Sequence, residues 1–386
     1  MSADTVTSST PPEVSIIIVN YNSSQKTLKC IENILNNTPH TIPYEVIVID
    51  NASHSEDYNV LAEGIASLKE TYKGLQPSPI RLVRLSRNYG YTGGNNVGAK
   101  IARGKYLVIL NPDVVVVRGW LIPLLEVLSS SEEVAAVQGK ILLPHGLIDS
   151  TGIFMDIYGN VVKRGYHEKD SGQYDNATFS EIFSVSGAAF AIKRDIFLKV
   201  GGFRSRYFMY FDEVDLCWRL RLLGYSVLYV PTSVVYHMHP SGIEERYDFH
   251  QRARFRYLDT KNKTYSILSN SCNLRNMLFL LLGLAGGILL DMIRMIKTKE
   301  NRAGPRLVAV LHAILYNIRG ITYDHRKYCS NKGKNKLNLL RLPLPVVIRL
   351  FRIKMRYGGA GFRKAYNKLL RYQYLFCAID NNSVGT

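Results

Sequence analysis

Over roughly its first 240 residues the chain alternates short β-branched runs with longer stretches of helical period. Val14–Asn20 (VSIIIVN), Tyr44–Asp50 (YEVIVID), 80–86 (IRLVRLS) and 106–111 (YLVILN) read as strands. The first, second and fourth are nearly continuous Val, Ile and Leu, the pattern of parallel strands covered on both faces by helices. Helical periods fill 23–37, 58–74 and 95–104 between them. Such a βαβ order predicts an α/β doubly wound sheet.

Open sheets of this class bind ligands in the crevice beyond the carboxyl ends of their strands. The polar residues ending each run therefore gain interest as a set: Asn20, Tyr21 and Asn22; Asp50 and Asn51; Ser86, Arg87 and Asn88; Asn111, Pro112 and Asp113. Taken singly, each set is also an ordinary turn. Between the second and fourth sets lies RNYGYTGGNN (87–96), where glycines such as Gly94 would let backbone approach a bound ligand. Asn95 or Asn96 would cap the helix that follows, its N-terminal amides free to face an anion.

After Gly139 the pattern becomes irregular, as in a hairpin and loop region over a binding face. Regular structure resumes at 183–202 and continues to about 240. Beyond Arg252 the composition shifts. Residues 276–290 carry no charge over 15 positions, short of the ~18–20 residues that a spanning helix needs. Residues 305–320 and 343–359 are apolar with interspersed cations, the pattern of helices lying in a membrane interface.

The net charge of +18 over 386 residues suggests nucleic acid until it is divided. Residues 1–260 hold 26 Lys and Arg against 27 Asp and Glu, whereas 261–386 hold 23 against 4. The excess coincides with the apolar stretches, which suits an anionic membrane surface better than nucleic acid. Five separated cysteines without a CxxC pair predict neither a zinc ribbon nor a disulfide framework, and fit a reducing compartment. The polar N-terminus has no signal-peptide core, so residues 1–12 read as a disordered lead.

Three constellations carry chemistry. Asp113, at the end of the fourth strand, can coordinate a hard divalent cation such as Mn²⁺ or Mg²⁺. Asp212, Glu213 and Asp215 open a helical stretch that Gly224 would close. They suit the helix dipole, Asp215 can pair with Arg219 four residues on, and one of the three remains available as a general base. His237 and His239 follow an apolar run and can complete a metal site with an acidic residue.

VSIIIVNYNS, VIVIDNAS, RNYGYTGGNNVGAK, LVILNPDV, SGAAFAIKRDIFLKVGGF, YFMYFDEVDLCWRLRLLGY and VPTSVVYHMH, in this order, resemble the family 2 glycosyltransferases of GT-A fold, particularly rhamnosyltransferase-like members. The resemblance covers about 13–240. It implies a nucleotide-diphospho-sugar transferase domain with a Rossmann-like core over 13–250, followed by a basic, hydrophobic, membrane-associating helical region over 251–386. The family moves a sugar from a nucleoside diphosphate donor to a hydroxyl with inversion, usually with Mn²⁺ or Mg²⁺. By similarity Asp50 reads the donor base, Asn20 and Asn22 lie near the nucleotide, Asp113 and His237 hold the metal, and Asp212 or Glu213 is the base. The implied acceptor is polyprenyl-linked or a glycan, at the cytoplasmic face of the cell membrane.

Three positions depart from the family pattern: Asn111 replaces a usual Asp, Asp212-Glu213 reverses the usual order, and Arg204 follows GGF where an acid is common, which would bear on acceptor recognition. A sugar nucleotidyltransferase would share the architecture but needs a glycine-rich triphosphate loop near the first strand, and VNYNSSQKT has no glycine.

Overall fold

The computed structural model describes residues 11–39, 41–73, 80–156, 158–176, 180–238, 248–298 and 303–329. His239, the N-terminal lead up to residue 10 and the apolar stretch 343–359 lie outside the described residues.

The four predicted strands form as expected: β1 (Val14–Asn20), β2 (Tyr44–Asp50), β3 (Ile80–Arg84) and β4 (Tyr106–Leu110). They pair parallel in the order β3-β2-β1-β4. The register sets Asn20 opposite Asp50, and Asp50 opposite Arg84, so the polar strand ends share one edge. Alternation along these strands divides the core. Ile16, Ile18, Val46, Val48 and Val108 face α1 (Ser24–Asn37), α2 (Ser55–Thr71) and α4 (Ile122–Ser129). Ile17, Ile47, Ile49, Leu107 and Ile109 face α3 (Gly90–Ile101), α5 (Arg194–Lys199) and α6 (Asp212–Leu222). Burial on both faces explains the unbroken aliphatic runs.

Beyond β4 the sheet becomes mixed. β11 (Ala189–Lys193) runs antiparallel to β4, and β6 (Val134–Leu143) antiparallel to β11. β12 (Ser226–His237) then lies parallel to β6, and the other edge of its far end pairs antiparallel with β5 (Val114–Val116). The irregular region resolves into β7 (Leu147–Ser150) on β6, a hairpin of β8 (Ile153–Met155) and β9 (Val161–Lys163), and the edge strand β10 (Ser180–Glu181). Strands of two to four residues give no readable alternation, which is why their sequence shows none.

Four helices follow: α7 (Phe249–Asn270), α8 (Leu274–Thr298), α9 (Gly304–Leu315) and α10 (Ile318–Cys329). They are not an appendage. Ile267 of α7, Leu280 of α8 and Tyr328 of α10 share one apolar cluster with Val214 and Trp218 of α6 and Ile153 and Met155 of β8.

Two expectations are corrected here. α8 has 25 residues, and 20 of them, Leu274–Ile293, are apolar enough to cross a bilayer by length and composition; the uncharged run of 15 is extended by tolerated end residues. Cys272 and Cys329 form a disulfide, their Cα atoms 4.9 Å apart, which runs against the expected set of free thiols in a reducing compartment. Their separation of 57 residues hides that the end of α7 and the end of α10 adjoin.

Candidate active site

At the β1 and β2 ends, Asn20 is fully buried and serves as a hub. Its Nδ2 donates to Asp50 Oδ1 (3.0 Å), Ser53 Oγ (3.0 Å) and Asp57 Oδ2 (3.1 Å), and its Oδ1 accepts from Ser23 and Thr27. Asp50 is also fully buried, held by Asn20, the Ser53 amide and Arg84. Asn22 is exposed, with a positive φ of 49° and its Oδ1 on the His54 amide. Asn20 and Asp50 thus build the edge from behind, while Asn22 and Tyr21 stand on its outer side.

Asn51 and Asn88 join at 2.9 Å, Asn51 Oδ1 accepts the Tyr89 amide, and Asn88 Oδ1 accepts the Gly90 amide. These bonds start α3 at Gly90, five residues before the expected cap. Asn95 and Asn96 are therefore inside the helix: Asn95 Nδ2 donates back to Tyr91 O, and Asn96 brackets the Phe203 backbone. Asn95 Oδ1 is buried without a hydrogen-bond partner among the described residues. Gly94 faces inward, where a Cβ would lie 2.7 Å from Val19 Cγ1, so it lets α3 settle on β1 and does not face a ligand. Of the first amides of α3, that of Gly90 is taken by Asn88 and that of Thr92 by Phe208 O. The periodicity missed this start because the first turn, GYTG, is made of weak helix formers.

Asn111 is half-buried at the edge, its backbone amide on Ala188 O. Two residues on, Asp113 meets His237: pairing of His237 with Val114 across β12 and β5 brings His237 Nε2 within 3.3 Å of Asp113 Oδ1. The other ring nitrogen, Nδ1, lies 3.1 Å from Asp149 Oδ2, and Asp149 Oδ1 accepts from Lys163 Nζ at 2.9 Å. Burial pushes the His237 pKa down, but the Asp113 and Asp149 carboxylates overcome it and the net shift is upward. Burial raises Asp149, yet Lys163 and His237 hold its carboxyl well below the usual range.

Among the described residues no three His, Cys, Asp or Glu side chains form a ready metal cage. Asp113 and His237 nevertheless supply one hard oxygen and one imidazole nitrogen side by side, residues that would hold a divalent cation, the imidazole suiting Mn²⁺ better than the oxygen-seeking Mg²⁺. Asp149 aims the imidazole, as carboxylates do behind histidine ligands. Neither Asp149 nor Lys163 was legible in the sequence, since both sit in the irregular region.

The acidic triplet separates into distinct roles. Phe208, Tyr210 and Phe211 all have positive φ (67°, 71° and 62°), a strained approach to α6 of the kind that persists only when its surroundings hold it. Asn262 of α7 does so, its Nδ2 within 3.1 Å of Tyr207 O, 2.9 Å of Met209 O and 2.8 Å of Tyr210 O. Asp212 is buried at the first turn, and burial followed by the neighbouring Glu213 charge raises its pKa well above the usual range. Glu213 is half-buried beside Gly187, where a Cβ would stand 3.8 Å from Glu213 Cδ and 3.3 Å from the Tyr91 hydroxyl. Burial also raises Glu213, partly offset by Lys163.

Asp215 points the other way. It is fully buried among Arg219 Nε (2.8 Å), Arg204 Nε (2.9 Å), Ser266 Oγ (2.9 Å), Asn270 Nδ2 (2.9 Å) and the Tyr207 hydroxyl (3.2 Å). Burial would raise it, but Arg204 and Arg219 bring it down to about 2. Such a carboxylate is a structural anchor and not a base. Arg204 is also corrected: it is buried, bonded to Asp215, Asn270 and Asp324, and does not meet an acceptor.

Residues 15–214 match the family model for glycosyl transferase family 2. An uncharacterized protein, y4gI of Sinorhizobium fredii, is 30% identical over 205 residues, covering 50% of this chain and 22% of that one. The N-acetylglucosaminyl-diphospho-decaprenol L-rhamnosyltransferase of Mycobacterium tuberculosis is 45% identical over 53 residues, covering 14% of this chain and 17% of that one. The chain thus matches about a fifth of the length of these curated relatives. Among solved structures, GalNAc-T7 with UDP, GalNAc and Mn²⁺ superimposes with a TM-score of 0.57 at 18% identity, over 80% of this chain and 58% of that one. That likeness speaks for the GT-A fold.

Proposed function

This chain belongs to glycosyl transferase family 2, and on that premise we propose that it moves a hexose, rhamnose among the candidates, from a nucleoside diphosphate donor to a hydroxyl of a lipid-linked acceptor, with inversion. The observation that carries the reading is one arrangement at the carboxyl edge. Lys163 holds Asp149 behind the Asp113–His237 pair, and the same ammonium bears on the Glu213 carboxyl. A pair able to hold a cation for the leaving diphosphate and a half-buried carboxylate for the incoming hydroxyl would thereby share one edge.

Asp113 and His237 are the residues that would hold a divalent cation, which when bound neutralises charge on the departing diphosphate. Glu213 accepts the acceptor hydroxyl proton as the new bond to the anomeric carbon forms and the bond to the diphosphate oxygen breaks, its electron pair leaving with the diphosphate. Inversion follows when Glu213 and the leaving group stand on opposite faces of the sugar. Of the three acids left open by the sequence, Asp215 is taken up by its arginines, and Glu213 is a better base than Asp212 because it is less buried and lies beside Gly187 and Tyr91, whereas Asp212 is enclosed in the first turn.

Incubation of the purified full chain with UDP-, GDP- and dTDP-sugars, with release of nucleoside diphosphate as readout, tests the reading. Release from one donor class that depends on Mn²⁺ or Mg²⁺ is expected; no release from any of them overturns it. Asp149→Asn should weaken Mn²⁺ affinity by about 10–100-fold, measured by Mn²⁺ titration and not by turnover, because the imidazole loses its orienting carboxylate. Unchanged affinity would remove His237 from the ligand set.

The lipid side of the reading rests on α8 and α9. Leu278, Leu282, Leu289, Met292 and Ile296 recur at spacings of three, four and seven along one exposed flank of α8, and Leu307, Val308, Leu311 and Leu315 do so on α9. The opposite flank of α8 packs on protein through Leu280, Leu284 and Leu290. A helix half-committed to protein with an apolar outer flank and nearby cations suits the plane of an anionic membrane surface. Leu282→Glu with Leu289→Glu should lower partitioning onto phosphatidylglycerol vesicles by about 100-fold or more, from two lost insertions of ~1.5–3 kcal/mol each. Equal sedimentation of variant and parent would refute that orientation.

A further inference from the structure

A second polar cavity lies away from the sheet edge, where the β8–β9 hairpin tip meets the C-terminal helices. It measures about 90 Å³ and is lined by Asn160 after the hairpin turn, Lys263 of α7, Gly283, Gly287 and Asp291 of α8, and Arg306 of α9. A water needs ~10–15 Å³ by this kind of measure, so the space admits several waters or a phosphate group. Asn160, Lys263, Gly283 and Gly287 are half-buried, so the cavity reaches the surface.

Its charge is unbalanced. Arg306 is committed to Asp291 (2.7 Å) and Thr260 (3.1 Å). Lys263 makes no hydrogen bond or ion pair among the described residues. Asp259 and Asp156 bear on it only at longer range, and burial, with Arg306 adding to it, lowers its pKa in spite of them. An ammonium kept half-buried without a partner costs stability unless something anionic arrives. The helix wall is equally unexplained by packing. A Cβ on Gly283 would collide with Tyr158 O, but one on Gly286 or Gly287 would meet nothing within 4 Å. Two mid-helix glycines cost about 1 kcal/mol each against alanine.

Chain continuity ties the cavity to the candidate active site. Asn160 leads directly into β9, whose last residue, Lys163, is the one that bears on Glu213. Three residues of strand span about 10 Å. On α7, Asp259 stands one turn before Lys263 and acts on both Glu213 and Lys263. On α8 the cavity's glycines share the protein-facing side with Leu284 and Leu290, and the exposed leucines occupy the opposite side of the same helix.

We propose that this cavity binds the diphosphate of a lipid-linked acceptor, with Lys263 and Arg306 as its cations and the acceptor sugar reaching toward Glu213. The inference rests on the lipid-linked acceptor reading given above.

Calorimetric titration of the full chain in EDTA, which removes divalent cations from the Asp113–His237 pair, uses farnesyl diphosphate as probe, with farnesol and inorganic pyrophosphate alongside. Saturable binding of farnesyl diphosphate is expected, weakened about tenfold in Lys263→Gln by loss of one charge-assisted contact. It should also weaken in Gly287→Leu, which fills the cavity without meeting other atoms at its Cβ. Farnesol binding as tight as that of farnesyl diphosphate, or indifference to both substitutions, overturns the proposal; equal binding of pyrophosphate overturns its lipid part. With a prenyl-diphosphate-linked sugar as acceptor, Lys263→Gln should raise the acceptor KM about tenfold while the donor KM does not follow. If the parent uses that acceptor and the variant's KM is the same, the cavity assignment falls and the function stands; if the parent refuses all such acceptors while transferring to others, both fall.

Discussion

Glu213→Gln is expected to lower kcat by about 10³-fold, within the 10²–10⁴ that a positioned general base contributes. The amide keeps the shape of the carboxylate beside Gly187 and Tyr91 but cannot accept the hydroxyl proton. In the parent enzyme the acidic limb of the kcat profile should lie above the ordinary Glu range, because burial outweighs the lowering influence of the Glu213 and Gly187 backbone amides and of Lys163. Stability should move oppositely to activity. The Glu213 carboxyl binds its proton more tightly in the folded chain than in the unfolded one, so its contribution is fully present at low pH and is lost as pH rises from the ordinary Glu pKa through the raised one. Asp212 behaves in the same sense. At pH 7 the Gln variant should therefore melt no lower than the parent, measured by thermal denaturation beside the kinetic assay. A variant retaining more than about a tenth of kcat would exclude Glu213 as the base.

Asp215→Ala, two residues along the same helix, should do the reverse of an active-site change and destabilise the whole chain by about 3–5 kcal/mol, the usual cost of removing one partner of a buried ion pair. Arg204 and Arg219 would be left facing each other, and Ser266, Asn270 and Tyr207 would lose their common acceptor. Since the Asp215 pKa is depressed to about 2, its contribution is present above the ordinary Asp pKa and fades as pH falls through that range toward about 2. Urea unfolding at pH 7 measures the loss. A loss under ~1 kcal/mol would show that water readily replaces this network.

The parallel half of the sheet was legible because strands buried on both faces must be continuously aliphatic, and their ends at Asn20, Asp50 and Asn111 follow from that register. The Asp113–His237 meeting was legible as residue types, but not as geometry, since it depends on the end of β12 pairing with β5 along one edge while it stays parallel to β6 along the other. Asp149, Lys163 and Asn262 left no local signal. Each acts through a contact far away in sequence, and the first two lie in strands too short to show a period. Arg204 was misread for the opposite reason, its sequence neighbourhood being informative while its partners Asp324 and Asn270 sit in the C-terminal helices.

Asn262 has a consequence for how this chain can be recombined. One amide nitrogen from the helical region holds three carbonyls of the segment that presents Glu213, and Arg204 returns the tie from the sheet domain to α10. The abrupt change of composition near residue 252 invites a cut there, but the unit that transplants intact is larger than either side of it. A chimera that borrows another C-terminal helical region must bring 204–215 with it, or keep Asn262, Ser266, Asn270 and Asp324 in the region it receives.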